Sequence, residues 1–277
     1  ASIASPRTLT LGYLSLADVG PLEIIDAAGA AGFRSVGVRL TARRPGEPWG
    51  HASVTDAAAM RGLSERLAEK GLALSNVSTF HLYPEVTLEQ LKPVIEASVN
   101  LGARTLIACL YRDPDRAAID FLGAYAEHAG AAGLRIALET VSYSACSTVS
   151  SAREILQRVG SPVLGLMLDP LHMQRGGSDW VSVRQLDASE VCIAQLCDAL
   201  ASPPAGVDAA TEARTMRRYP GDGELPIAGF LRDLPASAEI EIEVPALEHR
   251  HLPPRERATL MRARCLAYLR AQGLMLE

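Results

Sequence analysis

From one end of the chain to the other, short apolar, β-rich runs alternate with longer segments in which apolar residues recur at helical spacing. The runs fall at residues 9–14, 35–39, 73–77, 105–109, 135–139, 163–168, 191–196 and 239–244. Helical spacing fills 22–31, 55–70, 87–101, 117–132, 150–159 and 254–272. Eight strand-plus-helix units predict an α/β fold, the (β/α)₈ TIM barrel, with parallel strands. Punctuation agrees, because Gly32, Gly71, Gly102 and Gly133 each follow a helical segment and precede a strand, where a left-handed C-cap is needed. The rhythm breaks after the seventh run. Residues 201–218 are rich in Ala, Pro and charge and lead into Tyr-Pro-Gly-Asp-Gly at 219–223, which predicts a long active-site loop. No shift of composition marks a linker, so the expectation is one domain over residues 1–277.

Composition sharpens this picture in two ways. A chain of 277 residues with 48% hydrophobic residues, 21% charged residues and a formal charge of −5 is that of a globular protein, and barrels reach this length as one unit. The mild acidity argues against a partner whose phosphates must be neutralised by Lys and Arg, so small-molecule partners are favoured over nucleic acid or membrane. Cys109, Cys146, Cys192, Cys197 and Cys265 are odd in number and scattered, unlike a disulfide scaffold or zinc ribbon, and a reducing cytoplasm is expected. No apolar stretch approaches the roughly 18 to 20 residues of a membrane span, and the first ten residues lack the apolar region of a signal peptide.

A barrel of this kind builds its active site at the carboxyl ends of its strands, so the polar residues that end each apolar run are the candidates. Four converge: Glu139 ends the fifth run, Asp169 the sixth, Gln195 lies near the end of the seventh and Glu243 near the end of the eighth. Any one acid alone reads as a surface charge at a strand end; four at successive ends read as a site. Three crowded carboxylates repel one another and resist ionisation, a difficulty that a divalent cation removes. The oxygen-rich set suits Mn²⁺ or Mg²⁺ first, with Co²⁺ or Zn²⁺ as alternatives.

The segments Ala-Leu-Glu-Thr (137–140), Leu-Asp-Pro-Leu-His (168–172), Ala-Gln-Leu-Cys-Asp (194–198), Pro-Gly-Asp-Gly-Glu-Leu-Pro (220–226) and Glu-Ile-Glu-Val (241–244) together resemble the sugar isomerase and epimerase superfamily of xylose-isomerase-like barrels. The likeness runs in order along the whole chain and is greatest to the branch of tagatose epimerases, hydroxypyruvate isomerase and inosose dehydratase. The resemblance implies one metal ion held by Glu139, Asp169, Gln195 and Glu243. Glu139 and Glu243 would then act as base and acid on either side of a substrate whose carbonyl and neighbouring hydroxyl chelate the metal. It implies proton transfer through a metal-stabilised enediolate, giving isomerisation or epimerisation of a small sugar or polyhydroxylated carbonyl compound. Loss of a β-hydroxyl after the same first step would make the enzyme a dehydratase on an inosose- or dehydroshikimate-like substrate. An apurinic endonuclease shares the barrel, but its three-metal cluster needs more His ligands than these strand ends provide. A barrel that binds a metabolite without catalysis would have no need of four oxygen ligands. Homodimers or homotetramers are expected by the same resemblance.

His172 matches a family histidine that bonds the substrate oxygen beside the metal, where it would stabilise charge. Arg217 matches a substrate-contacting arginine, although its neighbour Arg218 fills the position equally well. His81, after the third run, either contacts substrate or caps the loop before Pro84. Arg39 ends the second run where many relatives carry an acid; it points to an anionic or carboxylate-bearing substrate, or else pairs with an acid such as Glu139. Trp49 and His51 either wall the site or anchor their own loop. Specificity is expected in the loops around Arg39, His81, Tyr111 and Tyr143.

Overall fold

The computed structural model of the protein describes residues 8–274, so the ends of the expected 1–277 domain, residues 1–7 and 275–277, lie outside the described residues. Eight parallel strands close into a barrel: β1 (Leu9–Leu11), β2 (Ser35–Arg39), β3 (Ala73–Ser78), β4 (Thr105–Ala108), β5 (Arg135–Glu139), β6 (Leu164–Leu168), β7 (Val191–Leu196) and β8 (Glu239–Ile242), with β8 pairing back onto β1. The helices are α1 (Pro21–Ala30), α2 (Ala57–Lys70), α3 (Leu88–Asn100), α4 (Arg116–Ala131), α5 (Val149–Val159), α6 (Pro170–Gly176), α7 (Ala209–Thr215), α8 (Ile227–Asp233) and α9 (Pro254–Ala271). This is the TIM barrel that the alternation of runs predicts.

Local chemistry starts and stops the helices where the sequence says it should. Asp56, Asp115 and Thr148 cap the starts of α2, α4 and α5 through side-chain oxygens, and Thr87 forms a capping box with Gln90 at α3. Gly32, Gly71, Gly102 and Gly133 have φ of 82°, 61°, 79° and 82°, the left-handed conformation that ends each helix without a Cβ clash.

Two expectations need correction. The first strand stops at Leu11 rather than running to 14, and Tyr13–Leu16 turns as a 3₁₀ helix. The cause is tertiary. A Cβ on Gly12 would lie 2.7 Å from both a Glu241 carboxylate oxygen and the Ile242 carbonyl, so the chain passes β8 there only as glycine and then bends away. Second, residues 201–218 are not loop throughout, because α7 lies within them. Its start is fixed by Asp208, whose carboxylate accepts from the Thr211 amide (2.9 Å) and hydroxyl (2.7 Å).

The strands face two environments. The outer faces join the helices in one large apolar core, to which Leu11, Ile136, Leu166 and Ile242 contribute fully buried side chains. Each such Leu or Ile contributes roughly 1.5–3 kcal/mol relative to exposure. Inside the barrel, Ile107, Ala137, Met167 and Ile193 of β4 to β7 form a separate small apolar cluster. The opposite part of the interior is polar: Glu241 of β8 accepts from Asn76 Nδ2 at 2.6 Å and from Gln195 Nε2 at 3.2 Å. Among the described residues no helix is long and apolar enough to cross a membrane, and all five cysteines are free thiols.

Candidate active site

The polar strand ends meet at the barrel mouth, where Glu139, His172, Gln195, Arg217 and Glu243 line a cleft and Asp169 lies fully buried behind it. Each side chain arrives there for a local reason. Asp169 follows β6 directly and serves as N-cap of α6, its Oδ1 accepting from the Leu171 amide at 2.9 Å. Pro170 at the first helical position needs no amide partner. One helical turn then brings His172 back over its cap, with Nε2 3.8 Å from Asp169 Oδ2. The Asp-Pro-Leu-His motif is thus a helix start that faces an acid and an imidazole together.

His172 has its tautomer fixed from behind. The Ser142 backbone N–H donates to Nδ1 at 3.2 Å, so Nδ1 is an acceptor and the ring proton of the neutral form sits on Nε2. Burial pushes its pKa down to about 4, outweighing the neighbouring Asp169 charge. The side chain therefore presents a neutral N–H to the cleft. One donor atom from each of Glu139, Asp169 and His172 falls within 4.8 Å of the others, but a protonated Nε2 suits a hydrogen bond to a substrate oxygen better than a metal bond.

Glu139 ends β5 and lines the cleft, its Oε2 accepting from the Cys109 thiol at 3.2 Å. Burial, with the Asp169 charge behind it, raises its pKa to about 7. Glu243, just beyond β8, is raised well above the usual carboxylate range, mainly by burial and then by Glu139 and Asp169. Asp169 behaves oppositely: burial pushes it up, but the Arg217 guanidinium, His172 and the Leu171 amide hold it below its ordinary value.

Arg217 is the cation inside this acidic group. Its Nη1 donates to Asp169 Oδ2 at 2.7 Å, its Nη2 lies 3.1 Å from Glu243 Oε2, and its Nε donates to the Ala213 carbonyl at 2.7 Å. Arg218 points the other way and is exposed, donating to the Asp222 carbonyl. The two are told apart by backbone pairing, since Arg218 forms an antiparallel bridge with Asp198 and so turns its predecessor inward. Asp198 is buried and accepts from the amides of Ala199, Gly221 and Leu225, tying the Pro-Gly-Asp-Gly loop to β7.

These residues fit a divalent metal ion on two counts. Gln195 donates its Nε2 to Glu241, leaving its buried Oε1 with no hydrogen-bond partner; Glu243 Oε2, near Arg217 though it is, accepts no hydrogen bond of good geometry. Buried oxygens left in this way need a partner. Charge gives the second count: three carboxylates against the one guanidinium paired with them leave, when all ionise, two negative charges, which one divalent cation cancels. Oxygen donors of Glu139, Asp169, Gln195 and Glu243 would hold it. Glu139, with its raised folded pKa near 7 against an ordinary 4.5, binds a proton that the unfolded chain releases. Stability of the metal-free protein should therefore fall as pH rises through that window, and Mn²⁺ should raise the melting temperature more at about pH 8 than at about pH 5.5. Thermal scans with and without Mn²⁺ check this; a metal effect equal at both pH values would contradict it.

Facing the acids is a wall of different character. His81 stacks on Tyr111 with ring centres 4.8 Å apart, and Tyr143 meets His172 edge-on at 5.5 Å. Arg39 donates to the Thr79 carbonyl at 2.8 Å and lies 3.4 Å from His81 Nε2, which must accept because a guanidinium only donates. The expected alternative of an Arg39–Glu139 ion pair is not formed among the described residues. His81 is neutral, its pKa pushed to about 2 by burial and by Arg39, Arg43 and Arg214. Trp49 and His51 do not line this cleft: Trp49 donates to the Ala52 carbonyl and packs edge-on against His51, anchoring its own loop.

The family description "Xylose isomerase-like TIM barrel" matches residues 25–264. The chain belongs to the xylose isomerase-like TIM barrel family. It is 24% identical to a 3-dehydroshikimate dehydratase of Pseudomonas putida over 241 residues, 82% of this chain and 36% of that one. It is 26% identical to an inosose isomerase of Bacillus subtilis over 121 residues, 40% of this chain and 44% of that one. The chain thus spans less than half the length of these relatives. Among solved structures it resembles the IOLI protein with a binding zinc atom, at a TM-score of 0.78 and 17% identity over 97% of this chain and all of that one. It also resembles a xylose isomerase-like TIM barrel/4-hydroxyphenylpyruvate dioxygenase fusion protein, at 0.74 and 22% over 99% of this chain and 45% of that one. This family member has site residues that the strand-end argument did not single out: Tyr13, Arg43, Cys109, Arg214 and Glu241 all line the cleft. Glu241 was within reach, because a period of two along Glu-Ile-Glu-Ile-Glu puts Glu239, Glu241 and Glu243 on one face.

Proposed function

We propose that the protein is a divalent-metal-dependent enzyme that moves a proton at the carbon beside a carbonyl in a small polyhydroxylated substrate, acting as an isomerase or epimerase. The observation that carries this reading is the pair Glu139 and Glu243, two carboxyls in one cleft, one with its pKa raised to about 7 and the other with its pKa raised well above the ordinary carboxylate value by burial. Such groups can hold or release a proton near working pH, which is what a general base and its partner acid require. A divalent ion held by the four oxygen donors would polarise the substrate carbonyl and offset the negative charge that follows deprotonation. Of the chain's own groups, one glutamate takes the proton and the other returns one to the opposite face or the adjacent carbon. His172 Nε2–H donates to the substrate oxygen on which charge develops. Arg217 keeps Asp169 ionised, so that Asp169 holds position rather than exchanging protons.

A second reading has its own support. The similarity to 3-dehydroshikimate dehydratase covers 82% of this chain, and a lyase shares the proton-abstraction step, diverging only when a β-hydroxyl leaves. Incubating the protein and Mn²⁺ with ketoses, inososes and dehydroshikimate and identifying products by NMR separates the two. An isomeric product supports the isomerase; a product lacking water moves the assignment to the lyases; no product from any of the three overturns the reading for these substrate classes.

A further inference from the structure

Three arginines are buried among the described residues, and they are not alike. Arg217 meets Asp169 and Glu243, and Arg257 meets both carboxylate oxygens of Asp18 at 2.8 Å. Arg39, 8% exposed, meets no carboxylate: its guanidinium lies 5.1 Å over the Tyr13 ring, reaches the Thr79 carbonyl and His81, and leaves Nε without a hydrogen-bond partner. A buried cation without an anion carries a desolvation cost that an incoming anion would relieve.

Arg39 is not the sole cation there. Arg43 and Arg214 line the same cleft, and neither has a carboxylate partner among the described residues. Arg43 has the Tyr13 hydroxyl as its hydrogen-bond partner. The three guanidiniums come from separate places in the fold, the end of β2, the loop after it, and α7, yet all face one space. β2 lies across the barrel from β6, so Arg39 stands opposite Asp169, while Arg214 reaches the same cleft from α7. The low pKa of His81 reflects the same field, since after burial its causes are Arg39, Arg43 and Arg214 and include no acid.

We propose that Arg39, Arg43 and Arg214 form an oxyanion subsite that receives a carboxylate of the substrate, and that this enzyme therefore acts on a hydroxy-keto acid rather than a neutral sugar. The inference rests on the proton-transfer reading, because it places the carboxylate at one wall while the carbonyl faces the acids at the other. A carboxylate fits better than a phosphate ester. The Arg39 guanidinium lies 5.1 Å over the Tyr13 ring and 3.4 Å from His81 Nε2, and its planar fork of N–H donors pairs with a planar carboxylate through parallel bonds.

The test uses three probes with one hydroxymethyl ketone in common: dihydroxyacetone, hydroxypyruvate and dihydroxyacetone phosphate. Their dissociation constants are measured by calorimetry on the Mn²⁺-loaded full chain. Hydroxypyruvate should bind at least about tenfold more tightly than dihydroxyacetone. That preference should collapse to within about twofold in Arg39→Met, which removes the charge but keeps an unbranched side chain, and should partly survive in Arg39→Lys, which keeps the charge. A preference undiminished in Arg39→Met, equal binding of the three probes, no measurable binding of hydroxypyruvate, or tighter binding of the phosphate ester than of hydroxypyruvate would overturn the proposal. Mn²⁺ stoichiometry on the same samples reports the metal site separately. A missing preference with the metal bound therefore counts against the subsite alone, and failure to take up metal counts against the reading beneath it.

Discussion

Glu139→Gln and Glu243→Gln are each expected to lower kcat/KM by about 10²–10⁴-fold, the range seen when a positioned acid or base is removed. Gln preserves shape and one oxygen donor but cannot take up or release a proton near pH 7. The loss should therefore fall mainly on kcat, and the double variant should be little worse than either single one, because the two groups serve one reaction. The structure adds a way to separate chemistry from ligation. Gln195 lines the same cleft and is already an amide, so a second and a third amide would weaken metal binding in a graded manner while the proton transfer fails outright. Steady-state kinetics at saturating Mn²⁺, read beside calorimetric metal affinity, checks this; activity that returns to normal once metal is saturating would show that neither glutamate moves a proton.

Arg217→Met is the substitution with the largest expected effect on stability. It leaves Asp169 and Glu243 buried beside Glu139 with no guanidinium between them. Removing one partner of a buried ion pair costs about 3–5 kcal/mol. Two features make the prediction specific. The loss should shrink toward low pH, where Glu139, near 7, and Glu243, also raised, become neutral and need no cation. It should also shrink when Mn²⁺ is added, because the ion replaces the lost charge. Chemical denaturation of wild type and variant at two pH values, with and without metal, measures both. A loss independent of pH and metal would mean that Arg217 acts only through packing and its bond to the Ala213 carbonyl.

Much of the architecture was legible because it repeats. The strand and helix periods write themselves eight times, and Gly32, Gly71, Gly102 and Gly133 mark helix ends by a backbone conformation that other residues avoid. The candidate ligands were legible for a related reason: in a barrel the carboxyl end of every strand points to one mouth, so Glu139, Asp169, Gln195 and Glu243 could be grouped without coordinates. What escaped depended on contacts distant in sequence. Nothing near Gly12 says that Glu241, far along the chain, occupies the space a Cβ would need, and so β1 was drawn too long. α7 is only seven residues long, too short for an amphipathic period to show, and its start depends on one cap, Asp208. The ambiguity between Arg217 and Arg218 was settled by the bridge from Asp198, a pairing set by the course of the loop. Ser142, which fixes the His172 tautomer, does so through its backbone and leaves no side-chain signature.

The acidic and basic walls also explain each other. Glu139, Asp169 and Glu243 concentrate negative charge at β5, β6 and β8, while Arg39, Arg43 and Arg214 bring positive charge to the same mouth from β2, the loop after it and α7. A field of this kind orients a small dipolar substrate before any bond changes, which lowers the entropic share of the barrier.

The most direct test of the central claim is solvent exchange: the Mn²⁺-loaded protein is incubated in deuterated water with each candidate hydroxy-ketone or keto acid, and carbon-bound deuterium is followed by NMR. The account predicts deuterium at the carbon beside the carbonyl, abolished in Glu139→Gln and Glu243→Gln and by chelation of the metal. Turnover of any of these compounds without deuterium entering that carbon, or exchange that persists in both glutamine variants, would contradict it.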